Sequence, residues 1–162
     1  MNSINETETT VKQLAEIVYN RSARRYEWTD PQSGEMFTAP SGAQNKADLF
    51  RAIVAMLDPD LYAAAERMIA NQPQLERVVW KGVELVINEA VEVYAVPHNT
   101  VLAMVDSSDG YGRYAIENIN GHISCQCESW QGLTAPLTTG GRRVCKHVSA
   151  MYLWNFTREV RF

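Results

Sequence analysis

Residues 122–154 read HISCQCESWQGLTAPLTTGGRRVCKHVSAMYLW, and this stretch decides how the remainder of the chain is understood. It holds all three cysteines of the protein, Cys125, Cys127 and Cys145, with His147 two residues after the last. The spacing is C-x-C, seventeen intervening residues, then C-x-H. Three thiolates and one imidazole are a donor set that a closed tetrahedral zinc site takes. Two ligands one residue apart face the same ion only from a tight knuckle, here at the end of a short strand, Gly121-His122-Ile123-Ser124. The second pair sits where a helix begins. Val148, Met151, Tyr152 and Phe156 follow at helical spacing, and Leu153 and Trp154 widen the apolar face.

The stretch resembles the SWIM zinc finger, whose pattern is CxC, a variable gap, then CxH. The matched positions are Cys125, Cys127, Cys145 and His147. Trp130, shortly after the second cysteine, and Cys145-Lys146-His147-Val148 at the start of the last helix resemble the family as well. So does the Tyr111–Ile119 stretch that leads in. The likeness is close over residues 123–154 and looser over 90–156. Glu128 stands where members often carry proline, and the gap is long and rich in Gly and Thr; neither departure touches a ligand. The resemblance implies an adaptor of the kind found beside helicases and transposases.

The alternative for the cysteines is that they are ordinary buried or free thiols. Cysteines one residue apart make a poor disulfide, and the odd total would strand a reactive thiol in a secreted protein. His122 is a further donor near the cluster, more naturally turned to solvent or placed to hydrogen-bond a ligand. His98, in Pro97-His98-Asn99, reads as a turn residue.

A chain of 162 residues with 46% hydrophobic content suits one domain, or a domain with an appended module, built on a genuine core. No run of eighteen apolar residues exists, and the polar start MNSINETETTVK resembles no signal peptide, so an intracellular, cytoplasmic protein with no membrane association is expected. Reduced cysteines reserved for a metal agree with that compartment. Charge is uneven. Residues 121–162 carry five basic and two acidic groups, residues 1–120 ten and seventeen, within a formal total of −4. A basic end on an acidic body steers polyanions to that end, although an ordinary mixed surface accounts for it equally.

In chain order, residues 1–8 read as a flexible tail. Thr10 and Gln13 form a capping box, and Val11, Leu14, Ile17 and Val18 share a face, which predicts a helix to about Arg24. Tyr26 and Trp28, a turn at Asp30-Pro31-Gln32-Ser33-Gly34, and Met36-Phe37-Thr38 predict a hairpin near 26–38, its aromatics covering a core. Helices follow at 44–57, with an apolar face of Leu49, Ile53, Met56 and Leu57, and at 59–71, burying Leu61, Tyr62, Ala65, Met68 and Ile69. Asp58-Pro59 punctuates the two. A third helix, 74–88, carries Leu75, Val78, Val79, Val83, Val86 and Ile87 and is expected to pack on the sheet that follows. The period then changes to two. Val91–Val96, Val101–Val105 and Tyr111–Ile119 predict an antiparallel meander, closed by Asn120-Gly121 and the strand carrying the first cysteines. The fold class is therefore α+β. A mainly helical region spans 9–88, and a β-meander with a small ββα-like zinc finger spans 89–157.

Catalysis finds no constellation. The chain lacks G-x-S-x-G, H-E-x-x-H and Walker sequences, and a zinc ion with four protein ligands has no open position. The expectation is a non-enzymatic accessory factor that binds zinc and, through the finger, nucleic acid. Trp130, Arg142, Arg143 and Lys146 are the candidate contacts. The alternative is a zinc-stabilised protein–protein adaptor without direct nucleic-acid binding. A protein partner, of helicase, recombinase or transposase type, is expected in either case.

Overall fold

The computed structural model describes residues 17–30, 33–38, 46–107 and 110–158. The chain is α+β and divides into two compact units, one ending at Pro59 and the other running from Asp60.

In the first unit, strands β1 (Val18–Asn20), β2 (Arg25–Thr29) and β3 (Met36–Thr38) form an antiparallel sheet in that order. The helix expected to reach Arg24 is not present over its second half. Val18-Tyr19-Asn20 is extended and pairs with Glu27, Tyr26 and Arg25. The cause is local. The Asn20 side-chain oxygen accepts the backbone N–H groups of Ser22 and Ala23, both at 3.0 Å, which closes a turn. Arg24 then completes the reversal with φ at 52°. The first half of that expected helix, and the tail at 1–8, lie outside the described residues.

The hairpin near 26–38 forms as β2 and β3. Trp28 is buried opposite Phe37, with ring centroids 5.6 Å apart, so this tryptophan covers a core. Helix α1 (Lys46–Leu57) packs against β2. It buries Leu49, Ile53 and Val54, whereas Met56 and Leu57, expected on the same face, are exposed. The helical stripe is therefore rotated toward Val54.

Helix α2 (Pro59–Asn71) follows, burying Leu61, Ala64 and Ala65 and leaving Tyr62, Met68 and Ile69 half-buried. A 3-10 turn (Pro73–Leu75) then leads into α3 (Glu76–Ile87). Proline at the first position of that turn starts it without a donor to satisfy. Strands β4 (Val91–His98), β5 (Val101–Asp106), β6 (Arg113–Ile119) and β7 (His122–Cys125) make a four-stranded antiparallel meander in chain order. Asn99 and the Asn120-Gly121 pair turn the chain with positive φ, as the tight hairpins require. Strand β6 starts at Arg113, two residues later than expected, and Tyr111 stands exposed ahead of it.

The core of this unit lies between the meander and the last helix, α5 (Lys146–Arg158), which touches all four strands. Ala103, Val105, Ile116 and Cys125 face it from the sheet, and Val148, Met151 and Leu153 are buried on the helix. Phe156, expected on that apolar face, is exposed. Helix α3 packs along α5. The approach is close at Gly82, where an added Cβ would stand 2.9 Å from the Ala150 nitrogen and 2.9 Å from Ser149 Oγ. Only hydrogen fits there. The salient helix contact of 76–87 is thus with α5, and α5 carries the contact on to the sheet.

Candidate metal centre

Each member of the cysteine–histidine set is delivered by a different local device. Cys125 ends β7, paired across the sheet with Ile116 at the buried level. Cys127 follows as the N-cap of a short helix, α4 (Glu128–Gln131), with extended backbone angles. Its carbonyl accepts the N–H groups of Trp130 and Gln131, both at 3.0 Å, and Gln131 Nε2 returns to the Cys125 carbonyl at 3.3 Å. The knuckle is therefore a strand end folded onto one helical turn, a feature the spacing alone did not show.

The loop from Gly132 to Val144 is fastened throughout. Thr134 and Ala135 donate backbone N–H groups to the Ser129 carbonyl. Thr138 N donates to the Arg142 carbonyl at 2.8 Å, and Arg142 N donates to Thr138 Oγ1 at 3.0 Å. Residues far back in the chain hold it too. Thr139 N donates to Gln72 Oε1 at 2.9 Å, Gln72 Nε2 donates to Thr139 Oγ1 at 3.0 Å, and Gln74 Nε2 donates to the Leu137 carbonyl at 3.2 Å. The Gly140-Gly141 approach is a pinned turn, with Gly141 at φ 79°.

The chain then enters α5 through Cys145, whose sulfur accepts the Val148 N–H at 3.5 Å. That contact places a thiol at the positive end of a helix, which favours thiolate. His147 stands one residue inside the helix. Its Nδ1 lies 3.9 Å from Cys125 Sγ and 3.9 Å from Cys145 Sγ. One ligand atom from each of Cys125, Cys127, Cys145 and His147 lies within 4.8 Å of every other, and all four residues are buried.

These spacings suit a metal ion. Bonds of ~2.3 Å to sulfur and ~2.0 Å to nitrogen at tetrahedral angles put donor atoms about 3.5 to 3.8 Å apart. The four residues are placed to bind an ion such as zinc through three sulfurs and His147 Nδ1.

The protonation chemistry points the same way. Hydrogen bonds from Cys125 and Cys145 hold the Cys127 thiol far below its ordinary range. Cys125 is driven far above its own, first by its hydrogen bond to Cys127, then by Cys145 and burial. Cys125 pulls Cys145 down, but Cys127 and burial together outweigh it and push Cys145 up to about 11. The three sulfurs therefore pull one another in opposite directions. A divalent cation removes that conflict, because a coordinated thiol is deprotonated outright. His147 Nε2 is buried with no hydrogen-bond partner among the described residues. The ring instead packs on Tyr114, at 4.8 Å between centroids.

The other two histidines lie outside the cluster. His98 is exposed at a hairpin end, its ring 4.3 Å from that of Tyr94. His122 is exposed at the start of β7. Of the residues singled out for nucleic-acid contact, Trp130, Arg142 and Arg143 line one cleft of about 590 Å3, together with His122, Thr138 and Tyr152. Among the described residues, no carboxylate lines that cleft. Lys146 does not reach it and instead lines a separate cleft of about 360 Å3 beside Tyr114, Cys127 and His147. Tyr152 and His122 were not legible as partners of Trp130, since only the packing of α5 beside β7 brings them to one place. No helix among the described residues is long and apolar enough to cross a membrane. No known protein family, curated protein or solved structure matches the chain.

Proposed function

We propose that the chain is a zinc-stabilised, SWIM-like finger protein acting as a non-catalytic accessory factor that binds nucleic acid through the finger. Zinc is the ion that three thiolates and an imidazole in a buried tetrahedral set favour over harder cations. Four protein donors leave no position on the ion for water or substrate, so its role is to build the finger.

The nucleic-acid reading rests on one observation: Trp130, Arg142 and Arg143 line the same cleft, which no carboxylate among the described residues enters. Guanidinium groups meet phosphates, an aromatic face meets a base, and neither charge is cancelled within the cleft. Few cations take part. Binding is therefore weak and its salt dependence shallow, with about two or three ions released. Titration of the zinc-loaded protein against DNA and RNA at several salt concentrations tests the reading. Saturable binding that Arg142→Glu with Arg143→Glu abolishes, at unchanged zinc content, supports it. Absence of saturable binding to any of them at low salt overturns it.

A second reading, a protein adaptor, is favoured by the exposure of Leu133 (71%) and Leu137 (46%) on the finger loop. In that case a partner of helicase, recombinase or transposase type supplies the contact, and a protein co-purifying with the wild type is lost on Leu133→Ser.

A further inference from the structure

The cleft beside Trp130 has properties that phosphate binding alone does not require. It is concave, and its volume of about 590 Å3 lies in the range of sites that enclose a small molecule. Trp130 from α4 and Tyr152 from α5 line it, and both are half-buried. Neither ring packs on another aromatic ring among the described residues. The Arg142 side chain is exposed and has no ion pair or side-chain hydrogen bond among the described residues. Arg143 differs. Its Nη1 donates to the Ala135 carbonyl at 2.7 Å, which holds the guanidinium to the loop. The cleft therefore joins two accessible aromatic rings, a cation fixed in place and a cation left to a ligand. Hydrogen bonds close the Thr138–Arg142 turn that forms part of its wall.

We infer that this cleft takes one unstacked nucleobase of a single strand against Trp130 and Tyr152, with the adjoining phosphate on Arg142. The inference rests on the nucleic-acid reading above and adds the form of nucleic acid. In a duplex the base faces are covered by their neighbours, so the aromatic rings have nothing to stack on and only phosphate contacts remain. In a single strand a base leaves its neighbours at small cost, and aromatic stacking tolerates any base. The protein therefore prefers single strands, with little sequence selectivity. DNA and RNA strands share this base-and-phosphate chemistry.

The test uses the full zinc-loaded chain and four labelled probes of equal length, read by fluorescence anisotropy. They are a deoxythymidylate oligomer, a uridylate oligomer, an abasic deoxyribose-phosphate oligomer and a DNA duplex. The expected result is that at least one base-bearing single strand binds on the order of ten-fold tighter than both the abasic strand and the duplex. The ratio between thymidylate and uridylate then assigns the source as DNA or RNA. Trp130→Ala should bring the base-bearing strands down to the abasic level at unchanged zinc content. Should that variant fail to fold, photocrosslinking of a 5-bromouracil strand to the wild type replaces it, with the adduct expected on Trp130 or Tyr152. Equal affinity for the abasic and base-bearing strands overturns the inference while leaving phosphate binding standing. So does an adduct confined to another face. No binding to any probe removes the inference and the nucleic-acid reading together.

Discussion

At the scale of single residues, the two histidine environments separate cleanly. His147 is buried with Nδ1 facing two sulfurs, whereas His122 and His98 are exposed and stand outside the cluster. His147→Ala should lose the metal or weaken its binding by orders of magnitude, while His122→Ala and His98→Ala should each retain one equivalent. Metal analysis of proteins purified without chelator checks this, and metal retained by His147→Ala with loss from His122→Ala would reassign the donor set. The two kinds of cation separate as well. Arg142 lines the Trp130 cleft and Lys146 a different one. Arg142→Gln should weaken single-strand binding several-fold more than Lys146→Gln, in titrations at one low salt concentration. A larger effect from Lys146 would move the binding face to the cleft beside Tyr114 and His147. Sequence spacing offered Lys146 and Arg142 on equal terms, because one residue between two ligands does not reveal which cleft a side chain enters.

At the scale of elements, the meander and its turns were legible because their signals are local. Alternation over 91–96 and the Asn120-Gly121 pair specify strand and reversal without reference to the remainder of the chain. The stretch to Arg24 misled for the same local reason. Its apolar spacing is compatible with a helix, but the hydrogen bonds of the Asn20 side chain and the β-prone Val18-Tyr19 pair win at its end. The helix–helix seam also makes a prediction. Gly82 brings α3 within contact of the α5 backbone at Ala150, where a methyl group has no room. Gly82→Val should cost about 1–3 kcal/mol through overpacking, read as a lowered Tm. Because α5 carries His147, metal affinity should fall in the same variant. An unchanged Tm would show that the seam relaxes without resistance.

For the whole molecule, a metal held by the four donors would couple to the fold unequally. The donor set joins β7, the α4 knuckle and α5, so ligand binding energy is folding energy for this region. Chelation should abolish amide protection over at least residues 122–158. The sheet of β1, β2 and β3 supplies none of the four ligands, and its protection should persist. Hydrogen–deuterium exchange with and without chelator measures both. Uniform loss across the chain would mean that the unit ending at Pro59 depends on the metal too. The donor cluster was readable because all four residues fall within twenty-three positions, Cys125 to His147. The ties of the loop were not, since Gln72 and Thr139 lie 67 positions apart and neither carries a signal of its own.

Those ties bear on whether the finger is portable. The hydrogen bonds from Gln72 and Gln74 to Thr139 and Leu137 hold the cleft wall from the end of α2 and the turn after it. A transplanted segment starting at the meander would bring every ligand to a new host but would leave behind α3, the helix on which α5 packs. It would arrive without its external brace, so the arginine-bearing turn would sample many shapes and each binding event would carry the entropy of ordering it. The four donors then travel with the segment, whereas the helix that backs them and the two glutamines that hold the cleft stay behind with the parent chain.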